Sequence, residues 1–300
     1  MQRYSYNAFG LKIISELELP ELQPTDESGV YDIKISLGKV PVALAHPKIT
    51  GIRFERNEHE FLLNVLNVAG YYASANEIVI RQYNDSDLDS VRIFLYTSVF
   101  PAILILNKYL PIQASALERG GKAFLIAGED GAGKSSIAGA LNKRGYNIIS
   151  DDISVIVSTA DCYKALPGIV FPILWENTIK HLGKEINEFK KVRPVINRYW
   201  FNDISTEFNN EHNLTKIFFL KENNCDNVEC KEVVTDKEKH SLLIEKTAGG
   251  NFLFGNENKE LQLKQCEGIV RDISMWEICR PADMDTIDET ISLIEKKLLQ

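Results

Sequence analysis

Cysteine is scarce and unpatterned in this chain of 300 residues: the five, at positions 162, 225, 230, 266 and 279, are odd in number and include no Cys-x-x-Cys pair. That argues against a disulfide framework and a structural zinc site. Cys225, Cys230 and His240 do not make up a ligand set, because the spacing is wrong and a fourth ligand is missing. Positive charge is also lacking. A net charge of −8 sets the chain apart from proteins that bind nucleic acid or anionic membranes, which carry a basic excess. No basic segment followed by an apolar one opens the chain, so a cytoplasmic protein is expected. No repeat or low-complexity stretch is visible. The longest apolar run, Ile93 to Leu106, is interrupted by Pro101 and flanked by Arg92 and Lys108; at about 14 residues it falls short of the ~20 that span a bilayer, and a buried helix is expected there. What the composition supplies is 44% hydrophobic residues, enough core for one large or two modest domains.

One stretch, Phe124 to Val155, concentrates the chemistry. Gly128, Gly133, Lys134 and Ser135 fit G-x-x-x-x-G-K-[ST], after the apolar run Ala123 to Ala127 and before a helix-compatible run from Ser135 to Arg144. Successive backbone N–H groups in such a loop, with the N-terminus of the next helix, form a concave anion site. In this motif Lys134 would reach the β- and γ-phosphates, and the Ser135 hydroxyl would ligate Mg²⁺. Tyr146 to Ile149 then reads as a strand running into Asp151 and Asp152. A right-handed crossover returns it parallel to the first strand, so both carboxylates arrive at the edge where the phosphates lie. Phosphoryl transfer needs one carboxylate for the metal and one to accept the hydroxyl proton. Asp151 is taken as the base and Asp152, with Ser135, as the metal-facing group; alternatively, one of the two only caps the following turn.

Around this unit, residues 1–85 read as a small β-rich region, with runs at Tyr31 to Leu37, Phe61 to Val65, Gly70 to Ser74 and Glu77 to Tyr83 separated by turn residues. His46 and His59 are single and read as surface residues. Residues 86–300 form the second domain. It is expected to hold a helix from Asp87 to Lys108 with Ser86 as cap and a kink or break at Pro101, a strand from Leu110 to Leu117, a strand pair at Ile153 to Ser158 and Cys162 to Leu166, and a helix from Trp175 to Leu182 closed by Gly183. A core strand at Thr215 to Leu220 and an amphipathic helix at Asp285 to Leu299 follow. Phe201 to Asn213 reads as polar and irregular, Glu222 to His240 as solvated, and Gly249-Gly250 as a turn or loop. Arg193, Arg198 and Arg271 are candidates to stabilise the transferring phosphoryl group, or else surface ion-pair partners.

The order strand, glycine loop ending in Gly-Lys-Ser, helix, Lys-Arg-Gly-Tyr, strand, Asp-Asp resembles the catalytic domain of HPr kinase/phosphorylase, a bacterial P-loop serine kinase. More of the chain is similar to HPr-kinase-like proteins associated with ribosomally made peptides, including those that phosphorylate a serine of lasso-peptide precursors. The supporting pieces are Tyr6 to Leu11, Ile112 to Leu117, Leu166 to Pro172 and Arg280 to Asp283. The resemblance implies an α/β fold with a mixed sheet, ATP and Mg²⁺ as cofactors, Gly128 to Ser136 as their site, Asp151 or Asp152 as the base, and a serine-bearing peptide or protein as partner. Self-association is left open. The chain departs from the family at Gln113-Ala114-Ser115, where relatives carry His-x-Ser with a histidine that assists the carboxylate, and at Glu129-Asp130, where they more often show Asp-Ser. The alternatives are a nucleotide-binding regulatory module with a degenerate site, and a small-molecule kinase of the carboxykinase-like fold.

Overall fold

A computed structural model describes residues 2–26, 29–83, 86–193, 196–204, 211–223, 225–248, 259–281 and 286–300. Two compact units divide the chain: Met1–Pro111 with Ala248–Leu261, and Ile112–Thr247 with Gln262–Gln300.

Alternation of side chains builds the first unit. In β2 (Leu11–Ser15) Leu11, Ile13 and Ser15 are buried while Lys12 is exposed, the period-two pattern of a strand with one face on a core. With β1 (Tyr4–Ala8), β3 (Gln23–Pro24), β4 (Ile33–Leu37), β5 (Ile49–Thr50), β6 (Phe54–Arg56), β7 (Glu60–Val65), β8 (Ala69–Ser74) and β9 (Glu77–Gln82) it forms a nine-stranded sheet in the order β3-β1-β2-β4-β9-β8-β7-β6-β5. β2, β4 and β9 run parallel; the other neighbours are antiparallel. The expected β4, β7, β8 and β9 are present, and β1 and β2 add a hairpin whose turn residues, Phe9 and Gly10, both take positive φ. His46 and His59 are exposed, as expected.

The apolar helical run belongs to this unit, packed on β7 and β8, although the expected boundary at residue 85 placed it in the second domain. It comprises α1 (Leu88–Phe94), a π-helical turn (Leu95–Val99) and α2 (Phe100–Leu106). The cap is Asp87 rather than Ser86: its carboxylate accepts from the Ser90 N–H at 2.7 Å. Pro101 does not break the run. It sits in the first turn of α2, directly after the π turn, where its missing N–H is accommodated. Leu88–Leu106 is therefore 19 residues long, and by length and composition alone could cross a membrane, but 78% of its apolar 18-residue window is buried inside the protein. Its polar groups turn inward too: Arg92 pairs with Glu21 at 3.1 Å and with Asp89, and the Tyr96 hydroxyl donates to Glu21 at 2.8 Å.

The second unit is mixed α/β. Its main sheet runs β11 (Lys122–Gly128), β10 (Pro111–Arg119), β13 (Ile153–Ser158), β14 (Tyr163–Leu166), β18 (His212–Asn223), β20 (Ser274–Pro281), β19 (Glu229–Glu232), with β12 (Asn147–Ser150) paired to β10. β11 also pairs in parallel with β18. A three-stranded sheet of β15 (Ile173–Trp175), β17 (Ile196–Trp200) and β16 (Lys191–Arg193) lies apart from it. Both aspartate-bearing and loop-bearing strands are antiparallel to β10, so β11 and β12 are parallel as expected, but β10 lies between them. α3 (Lys134–Lys143) and α7 (Ile287–Leu298) cover one side of the core, where Phe124 meets Tyr146 and Phe218 edge-to-face at 5.7 and 6.0 Å. α4 (Glu176–His181) ends near Gly183, whose φ is +69°.

Glu222 to His240 is not simply solvated. It contains β19 and the start of α5 (Asp236–Glu245), which is capped by Thr235. β19 is an edge strand with three of its four residues exposed, so a charged sequence suits it. α6 (Lys259–Asp272) leads into β20. Of the expected irregular segment Phe201 to Asn213, positions 205–210 lie outside the described residues, and β18 already begins at His212. Gly249, Gly250, Ala282, Asp283 and Asp285 also lie outside them.

Candidate functional site

β11 is apolar because it is buried on both faces, and it ends at Gly128, where an added Cβ would come within 3.1 Å of the Leu220 carbonyl oxygen and 3.3 Å of the Ala132 Cβ. From there the chain turns through Gly131 and Gly133, with φ of +91° and +92°, a region open to glycine at little cost. Open space surrounds the Cβ position at Gly131, whereas at Gly133 a Cβ would lie 2.4 Å from Arg280 Nη1. α3 starts at Lys134, so its free N–H groups face the loop. Lys134 is buried. Its ammonium folds over the loop and donates to the carbonyls of Gly128 at 3.0 Å and Glu129 at 2.9 Å. Burial lowers its pKa, while Asp152, Asp130 and Asp151 pull it back up.

The other motif residues divide by exposure. Ala132 is buried, and its carbonyl accepts from Arg280 Nη1 at 3.2 Å. Glu129 and Asp130 are exposed; Glu129 meets Lys246 at 3.4 Å, and Asp130 accepts from Gln113 Nε2 at 2.6 Å. Ser136 turns away toward Thr178, hydroxyl to hydroxyl at 2.9 Å. Ser135 turns the other way and donates to Asp151 Oδ2 at 2.8 Å.

The two aspartates stand in different environments. Asp151 is buried and held on both oxygens, by Ser135 and by the Ser115 hydroxyl on Oδ1, while its own N–H donates to the Ile169 carbonyl at 2.6 Å. Asp152 has a left-handed backbone, φ +66°, a conformation Asp adopts more readily than most residues. Its carboxylate has no hydrogen-bond partner among the described residues. Burial pushes its pKa up to about 6; the adjacent Asp151 adds to the rise, and Lys134 opposes it. The serine-facing carboxylate is thus Asp151, whereas Asp152 was expected beside Ser135.

Of the arginines singled out in the sequence, Arg271 is a surface residue paired with Asp272 at 2.8 Å. Arg198 carries charge that acts on both Lys134 and Asp152, and its guanidinium lies 5.4 Å from the Trp175 ring centroid. Its Nε is buried with no hydrogen-bond partner among the described residues. Arg193 lies on β16. Two residues that the sequence reading gave no role, though both lie in segments that carry the resemblance, enter the site. Ser115 reaches Asp151 from β10, and Arg280 reaches the loop from β20 with its Nε likewise buried and unpartnered among the described residues.

Among the described residues no group of three or more His, Cys, Asp or Glu side chains is placed to hold a metal. Ser135 and Asp151 offer two hard oxygens side by side. That suits Mg²⁺, which keeps several waters and shares its shell with substrate phosphates instead of entering an all-protein cage. The glycine loop, open to space at Gly131, the free end of α3 and the Lys134 ammonium suit a polyphosphate.

No protein-family model matches the chain, and no curated protein matches its sequence. Among solved structures, the HPr(Ser) kinase/phosphatase from Coxiella burnetii aligns with 63% of this chain and 90% of its own length, at 14% identity and a TM-score of 0.32. A superposition that loose carries no argument about chemistry.

Proposed function

We propose that this chain is an ATP-dependent phosphotransferase acting on a serine hydroxyl, and that the acceptor is the serine of a ribosomally made, lasso-type precursor peptide. The observation that carries the transfer chemistry is the unequal pair at the end of β12: Asp151 is held by two serine hydroxyls, and the Asp152 carboxylate, with no hydrogen-bond partner among the described residues, has its pKa raised to about 6. A general base works best with a pKa near the working pH, and must be unencumbered to accept the hydroxyl proton. The roles expected from sequence are therefore exchanged: Asp152 is the base, and Asp151 with Ser135 is the metal-facing pair. Mg²⁺ held there would neutralise charge on the β- and γ-phosphates. Lys134 leaves its own loop's carbonyls for the same phosphates. Arg198 and Arg280, each with an Nε buried and without a hydrogen-bond partner among the described residues, would meet the charge on the transferring group.

The peptide acceptor rests on the sequence resemblance, supported by Trp175, half exposed beneath Arg198, as an apolar surface near the carboxylates for a chain to lie on. The test offers purified protein Mg·ATP with serine-bearing peptides on one side and metabolite alcohols on the other, and reads the products by mass. One added phosphate on a peptide, lost when its serine becomes alanine, is the expected result; phosphorylation of a metabolite with none on any peptide contradicts it. Gln113 favours a second reading, a regulatory nucleotide-binding module: it donates to Asp130, and among the described residues no histidine hydrogen-bonds to either carboxylate. ATP binding without turnover would support that module.

A further inference from the structure

Two cysteines that the proposed chemistry does not use stand side by side. Cys279, on β20, and Cys225, before β19, have their sulfurs 2.9 Å apart although 54 positions separate them in sequence. Both are partly exposed. β20 is held by ladders to β18 on one side and β19 on the other, so Cys279 is fixed while Cys225 sits outside any strand or helix. A disulfide requires the sulfurs at about 2.05 Å, a closure the Cys225 side can supply without disturbing the sheet.

We propose that Cys225 and Cys279 are an oxidation site, closing to an intramolecular disulfide when the chain meets a hydroperoxide. The direction of the chemistry follows from the hydrogen bond. The Cys279 thiol donates to Cys225 Sγ, so its proton points at the neighbouring sulfur. Burial, followed by that donation and the charge on Cys225, pushes Cys279 up to about 11. Cys279 therefore stays a thiol, and the attack falls to Cys225. Its sulfur bonds to one peroxide oxygen as the O–O bond breaks; the leaving alkoxide or hydroxide takes a proton to become alcohol or water, and Cys225 is left as a sulfenic acid. Cys279 then attacks that sulfur. The S–S bond forms, the S–OH bond breaks, and the hydroxide leaves as water with the Cys279 proton. Two thiols and one hydroperoxide give one disulfide, one water and one alcohol or second water, so the two electrons lost by sulfur are those gained by the O–O bond. The other cysteines are poorly placed: burial raises Cys230 and pushes Cys266 up to about 12, and Cys162 is engaged by Thr159 and Asn213.

The folded full chain, reduced and then treated with hydrogen peroxide, is digested without reductant and its cross-links mapped. A single 225–279 linkage is expected, reversed by a thiol reductant. In a Cys279→Ser chain a sulfenic-acid trap such as a 1,3-diketone should label Cys225, and in a Cys225→Ser chain it should leave Cys279 unlabelled. Circular dichroism of each variant establishes that it is folded before labelling. No 225–279 linkage in the folded wild type, or labelling of Cys279 in place of Cys225, overturns the proposal. These readouts need neither nucleotide nor acceptor, so they stand or fall apart from the phosphotransfer reading.

Discussion

At the residue scale, Asp152 gives the sharpest expectation. Its folded pKa of about 6 lies above the ordinary 3.8, so the folded state holds its proton more tightly than the unfolded one. With a raised folded value, the stability this group allows is fully present below about pH 4, is lost as pH rises through 6, and stays lost above. Two units correspond to at most about 3 kcal/mol. Asp152→Asn keeps the shape and suits a left-handed backbone, so urea unfolding should find it about 1–3 kcal/mol more stable than wild type near pH 7.5 and little different near pH 3.5. Equal stabilities at both pH values would mean that the carboxyl is not strained by burial. Asp151→Asn should behave differently, weakening the Ser135 and Ser115 contacts and raising the Mg²⁺ concentration needed for half-maximal turnover. The aspartates were legible as a pair from their place after a strand, but the difference in their surroundings was not. It depends on Ser115, which lies 36 positions away and reaches Asp151 only because β10 pairs beside β12. Arg280 was invisible as a loop contact for the same reason, 148 positions from Ala132.

At the element scale, the strand, loop, helix and strand were readable because their signals are local: an apolar run, glycines where φ is positive, and a helix start at once after Gly133. The insertion of β10 between β11 and β12 is a long-range pairing that no local pattern encodes. The charged stretch ahead of α5 misled because an edge strand and a half-exposed helix carry the same composition as a loop. Two substitutions test the loop. Gly131→Ala meets open space and should cost only the strain of a left-handed alanine, about 1–2 kcal/mol by thermal unfolding. Gly133→Ala bears that strain and also drives a methyl into Arg280, so it should cost more and weaken Mg·ATP binding at least about tenfold by calorimetry. Equal effects at the two glycines would count against the Arg280 contact. Behind the loop, α7 packs on α3 through Ile291, fully buried, with Arg144 bridging to Asp288 and Glu295 at 2.8 and 2.9 Å. Ile291→Ala should destabilise the chain by about 2–4 kcal/mol in denaturant titration, chiefly through the cavity left behind; a cost under about 1 kcal/mol would mean that α7 is not part of this core.

At the scale of the whole molecule, the composition correctly indicated ample core, and the apolar run near residue 100 was rightly assigned to a buried helix, which runs Leu88–Leu106 within the expected Asp87 to Lys108. The two-unit division was only partly legible, because the run from Leu88 to Leu106 packs on β7 and β8 and the first unit extends to Pro111. The central claim is that the glycine loop binds ATP and that Asp152 drives transfer from it to a serine. The most direct measurement is single-turnover transfer of labelled γ-phosphate from Mg·ATP to a serine peptide by wild-type, Lys134→Ala and Asp152→Asn chains, with calorimetric ATP affinities measured alongside. The expected result is transfer by wild type, loss of both ATP affinity and transfer in Lys134→Ala, and in Asp152→Asn a fall in transfer of about 10²-fold or more with ATP affinity unchanged. Transfer at the wild-type rate by a folded Asp152→Asn chain, or undiminished ATP affinity and transfer in Lys134→Ala, would contradict it.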